Sequence, residues 1–128
     1  MTRHHLATAA ALAAAVAAGL VVAGCGGDDD GDLPTVEGPT SPALDVVATE
    51  MAYDPDAVAV AAGTVEVVLR NEGGVLHDLR ITDQPFIIEA GAGSTATGQV
   101  ALEAGRYAFY CSLPGHREAG MEGVLEVR

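Results

Sequence analysis

Short extended runs separated by glycine-bearing turns set the strongest limit on how this chain folds. Val58-Ala-Val-Ala, Thr64-Val-Glu-Val-Val-Leu-Arg, His77-Asp-Leu-Arg-Ile-Thr, Gln99-Val-Ala-Leu, Arg106-Tyr-Ala-Phe-Tyr-Cys and Gly123-Val-Leu-Glu-Val are rich in β-branched or aromatic residues, and they often alternate. Between them stand Ala62-Gly63, Asn71-Glu72-Gly73-Gly74, Gly91-Ala92-Gly93-Ser94 and Glu103-Ala104-Gly105, which are turn and loop signals. That spacing predicts an all-β domain, an antiparallel Greek-key sandwich or barrel. Alternation puts Val65, Val67 and Leu69 on one face. It sets Asp78 and Arg80 opposite His77, Leu79 and Ile81, and it aligns Tyr107, Phe109 and Cys111. The pattern contains no internal repeat and no helical segment beyond the N-terminal leader.

Residues 1–24 read as a leader rather than as part of the fold. Arg3 supplies a positive charge, residues 6–22 are apolar and alanine-rich, and Val22-Ala23-Gly24 leads into Cys25. An apolar stretch of that length sits at the low edge of what spans a bilayer. Small residues directly before a cysteine resemble instead the lipobox of bacterial lipoproteins. On that resemblance Cys25 is acylated, becomes the first mature residue and anchors the chain to the extracytoplasmic face of the cell membrane. His4 and His5 then leave with the leader and are not available as ligands.

Residues 25–43 are glycine, aspartate, proline, serine and threonine with little to bury, the composition of a disordered acidic tether. As a flexible coil it spans about 20 to 25 Å, and more when its aspartates repel. Residues 44–128 remain for one small core. All eighteen acidic residues follow Cys25 but only five of the six arginines do, a mature charge of −13 with no lysine. Such a surface disfavours nucleic acid and anionic substrates. With Cys25 acylated, Cys111 has no disulfide partner, and a lone thiol in an oxidising compartment needs another role.

That role is suggested by YCSLPGHREAGMEG, residues 110–123, where four residues separate Cys111 from His116 and four more separate His116 from Met121. Leu113-Pro114-Gly115-His116 suits a tight turn, proline fixing φ at its second position and glycine accepting positive φ at its third. The turn brings His116 back toward Cys111, and His77 follows an irregular connection that can reach the same end of a sandwich. Two imidazoles, a thiolate and a thioether form the donor set of a mononuclear copper centre of the electron-transfer kind. Zinc is the rival metal, but its structural sites use four cysteines or histidines and rarely a thioether.

Residues 57–71, His77, Gly105-Arg-Tyr-Ala-Phe-Tyr-Cys-Ser-Leu-Pro-Gly-His and Gly120-Met-Glu-Gly resemble the cupredoxins, the blue copper proteins. Four intervening residues on each side of His116 look closer to auracyanin and rusticyanin than to plastocyanin. The resemblance implies a metal site of His77, Cys111, His116 and Met121, with the thioether weak and axial. It also implies hydrogen bonds from the backbone N–H groups of Asp78 and Leu113 to the Cys111 sulfur. Many members carry asparagine where this chain has Asp78, a departure that bears on those bonds. A binuclear electron-entry centre would need a second cysteine where Gly115 stands, and multicopper enzymes need more histidines than the two that remain. The expected function is therefore a membrane-tethered one-electron carrier, not an enzyme, that exchanges electrons with redox partner proteins. Its apolar docking collar is expected around His116, from Leu113, Pro114, Ala119 and the segment 73–76. A copper delivery or storage protein of the cell envelope is the alternative, and a plain interaction module is disfavoured by the joint occurrence of the four donors.

Overall fold

The computed structural model describes residues 33–128, so the leader, Cys25 and the first part of the tether lie outside the described residues. The described chain forms nine strands: β1 (Ala43–Thr49), β2 (Ala52–Asp54), β3 (Ala57–Val60), β4 (Gly63–Asn71), β5 (His77–Ile81), β6 (Ile87–Ala90), β7 (Thr95–Leu102), β8 (Gly105–Tyr110) and β9 (Glu122–Val127). They make two sheets, ordered β2-β1-β4-β7 and β3-β9-β8-β5-β6. The all-β sandwich is the expected one, but its sheets are mixed: β1 runs parallel to β4, and β3 runs parallel to β9. Parallel neighbours need a crossover between them. Between β1 and β4 the chain first turns back along β2 in the same sheet and then crosses to β3 in the other sheet.

The core follows from the alternation. In β4, Val65, Val67 and Leu69 are buried, and β1 adds Leu44, Val46 and Ala48. From the other sheet come Leu79, Ile81, Phe109 and Leu125, in the same cluster. Each of the larger side chains, fully withdrawn from water, contributes on the order of 1.5 to 3 kcal/mol. One strand face departs from the pattern. Asp78, on the side of β5 opposite to Leu79, is buried as well.

The described part of the segment 25–43 runs along the domain. Val36 is buried, and its N–H donates to the Glu126 carboxylate at 2.7 Å. Arg128 donates to the carbonyls of Val36 and Gly38, and Arg106 donates to that of Leu33. Ser41 then bridges to Val60 of β3, and Ala43 already belongs to β1. Composition conceals this docking because one apolar side chain and backbone carbonyls do the holding, while the charged partners sit 73 to 92 residues downstream.

Candidate metal centre

Strands β5 and β8 pair only through Arg80 with Tyr110 and Ile81 with Phe109. Beyond those pairs, toward His77 on one strand and Cys111 on the other, the ladder stops. Asp78 takes over the join: its carboxylate accepts the Ser112 N–H at 2.6 Å and the Ser112 hydroxyl at 2.5 Å. Its carbonyl accepts the Tyr53 hydroxyl. The Ser112 oxygen accepts from Arg80 at 3.1 Å, so a cation stands behind the buried carboxylate. Such a carboxylate is tolerated because its oxygens are bonded.

The segment from Cys111 to Met121 closes on itself. The Cys111 N–H donates to the Met121 carbonyl and the Met121 N–H to the His116 carbonyl, both at 3.1 Å. Within it the His116 N–H reaches the Leu113 carbonyl at 3.1 Å, and Gly115 has φ 82°, the turn expected from Pro-Gly. Arg117 lies over the Tyr110 ring at 4.2 Å and pairs with Glu122 at 2.8 Å, which ties the outside of the loop to the strands. His77 is presented by a second loop, residues 71–76, organised by the buried Asn71. That side chain donates to the carbonyls of Val75 and Ala90 at 2.7 and 2.8 Å and accepts the Gly73 N–H at 2.9 Å.

These two loops bring three of the expected ligands together. The donor atoms of His77, Cys111 and His116 lie within 4.8 Å of one another, with Cys111 Sγ 3.4 Å from His116 Nδ1. The rings of His77 and His116 meet edge-on with centroids 5.3 Å apart. Met121 is fully buried in the core cluster and is joined to Cys111 through the backbone. Cys25 lies outside the described residues. Burial pushes the Cys111 thiol up from its ordinary value. The backbone N–H groups of Asp78 and Leu113, bonded to the sulfur, pull it down again, and the Asp78 charge raises it. Both ring nitrogens of the buried His77 lack a hydrogen-bond partner. Unsatisfied buried nitrogens are costly, and a metal satisfies one of them. Soft thiolate and thioether with two imidazoles fit copper.

Sequence spacing gave no sign of Glu50, whose carboxylate accepts the N–H groups of Gly74 and Val75 at 2.7 and 3.1 Å. Those donors hold it below the usual carboxylate range, the Gly74 N–H most of all, against a smaller opposing effect of burial. It lies between β1 and β2, with no motif to mark it. Asn71 was visible only as part of a turn; its place six residues before a ligand histidine was the available signal.

A two-sheet sandwich with His77, Cys111, His116 and Met121 at one end defines a mononuclear copper protein. Residues 12–125 match the model of the cupredoxin-like domain, and the chain belongs to that family. It is 26% identical over 146 residues to the copper-resistant cuproprotein CopI of Pseudomonas aeruginosa, covering 74% of this chain and 81% of that one. To CopI of Rubrivivax gelatinosus it is 31% identical over 108 residues, 65% of this chain and 64% of that one. Among solved structures it superposes on dithionite-reduced auracyanin from Roseiflexus castenholzii with a TM-score of 0.62 at 24% identity, covering 70% of this chain and 99% of the other. Auracyanin B follows at 0.59 and 19%, covering 73% and 93%.

Proposed function

We propose that this protein is a one-electron carrier, held at the outer face of a cell membrane by an acylated Cys25. Copper supplies the Cu(II)/Cu(I) couple. The observation that carries the reading is the closure of the ligand loop. Cys111 and Met121 are fully buried and bonded backbone to backbone, so the fold, not the metal, sets where the donors stand. Fixed donors favour electron exchange because little has to reorganise, and they slow metal release. Four protein donors leave no open position for a substrate, which argues against an enzyme.

His116 is the one ligand that is not fully buried, and it marks the route by which electrons enter and leave. Val75 and Leu76, among the large apolar side chains exposed on the described surface, come just before the ligand His77, as Leu113 and Pro114 come just before His116, and together they make up the proposed collar. Redox partner proteins are proposed to dock on this collar. The copper-resistance name of the CopI relatives favours a second reading, copper delivery or storage in the cell envelope. Reduced protein challenged with a moderate Cu(I) chelator during repeated redox cycles separates the two. The carrier keeps its copper, and loss within a few cycles replaces it with the delivery protein. In stopped-flow oxidation, Leu113→Glu is expected to slow exchange with a protein partner while leaving the visible spectrum intact.

A further inference from the structure

Glu50 stands against the ligand His77 on the side away from the core. Its Oε1 lies 3.4 Å from His77 Nε2, close enough for an ion-pair contact but longer than an N–H···O bond. The same oxygen accepts the N–H groups of Gly74 and Val75, so two amides of the loop that presents His77 and the His77 ring itself converge on one atom. The His77 ring is fully buried, whereas the Glu50 side chain is 42% exposed. Gly73 makes room for it: a Cβ there would sit 2.9 Å from Glu50 Cδ and 3.0 Å from Oε2. Gly73 has no positive φ, so its lack of a side chain serves this approach and not a turn.

We propose that Glu50 is a positioning residue for the copper site, its carboxylate holding the Nε2–H of His77 so that Nδ1 faces the metal, and its charge favouring Cu(II) over Cu(I). This rests on His77 being a copper ligand. With Nε2 turned to Glu50, one of the two unpartnered nitrogens is assigned and the other is left for coordination. A carboxylate behind a ligating imidazole fixes tautomer and ring orientation and makes the nitrogen a better donor. Because Oε1 also ties the Gly74 and Val75 amides, the ring and the loop that carries it are held by one side chain from another part of the chain.

Glu50→Gln tests the charge separately from the tie. The glutamine carbonyl still accepts from Gly74 and Val75, so folding is expected to be retained and the copper protein to stay coloured. Its potential is expected to rise by an amount equivalent to about tenfold in the Cu(II)/Cu(I) ratio, or about 59 mV for one electron. Glu50→Ala, which loses charge and tie together, is expected to raise the potential at least as far and to speed copper loss. Gly73→Ala, which displaces the carboxylate, should move both readings the same way. In the copper-free protein, nitrogen NMR should show the His77 proton on Nε2, and Glu50→Ala should abolish that preference. Unchanged potentials in Glu50→Gln and Glu50→Ala with wild-type colour overturn the proposal and leave the copper reading standing. A wild type that gives no thiolate-to-copper band overturns both.

Discussion

At the metal end of the sandwich, Asn71, His77 and Asp78 are the buried polar side chains of the described residues. Asn71 and Asp78 are each committed to backbone groups of a neighbouring segment. Along β3 and β9, by contrast, residues 33–42 are held by Glu126, Arg128 and Arg106 from the surface, with Val36 as the buried apolar contact. Buried polar groups lose heavily when a partner goes, because water cannot replace it. Exposed charged groups lose little, because water can. The metal end is thus built to hold one geometry, and the docked segment is built to let go.

The largest expected effect lies at the rigid end. Copper-loaded protein should be intensely coloured by thiolate-to-copper charge transfer, and Cys111→Ser is expected to abolish that band entirely, since no other described cysteine exists. An absorption spectrum before and after reductant checks it. A colourless wild type binding zinc instead would remove the metal assignment.

Asn71→Ala comes next. It strands the carbonyls of Val75 and Ala90 and the N–H of Gly73 near the ligand loop. With a cost on the order of 1 to 3 kcal/mol for each buried group left unpaired, and water reaching part of the loop, a total loss of about 3 kcal/mol is expected. Urea unfolding of the copper-free protein measures it. A loss under about 1 kcal/mol would mean that the loop does not depend on this network.

What was legible in the sequence follows the same division. Six strands and the ligand loop could be read because alternation and the Cys, His, Met spacing are local signals. β1 was folded into the tether at its first residue and its later residues went unread, because its partner β4 lies some twenty residues away and pairs in parallel. β6 was hidden by a run, Phe86-Ile87-Ile88, that does not alternate. Asp78 lies on the face that alternation assigns it, but its burial there was not legible, because that side is roofed by Ser112, a contact that exists only after the ladder between β5 and β8 ends. Glu50 was beyond reach for the same reason: its meaning lies in a contact with residues 74–77, and nothing in its neighbours announces it.

On the loosely held side, Val36→Ala removes two buried methyl groups, a loss of about 1.5 to 2 kcal/mol if the segment unfolds with the domain. The expected result is smaller in global unfolding and larger locally. Cleavage within residues 33–42 by a nonspecific protease should accelerate several-fold, while the copper spectrum stays unchanged. Equal loss in both measurements would show that the segment and the domain unfold as one unit.

The smallest effect is a pH dependence confined to this segment. Glu126 is held below the ordinary value of 4.5, first by its hydrogen bond from Arg128 and then by the Val36 N–H. A carboxyl lowered in the folded state contributes its full stabilisation above the unfolded value and loses it as pH falls through the folded one. The Val36 amide is therefore expected to stay protected from hydrogen exchange down to pH 4.5 and to lose protection only on further acidification. Protection factors, which correct for the intrinsic pH dependence of exchange, should fall for Val36 while those of Leu125 in the core hold. In Glu126→Gln the acid step should disappear and Val36 should be weakly protected throughout, because the charge that Arg128 and the amide share is gone. If Val36 opens above 4.5, or if Leu125 opens with it, the docked segment is not the separately released element that its partly exposed anchors imply.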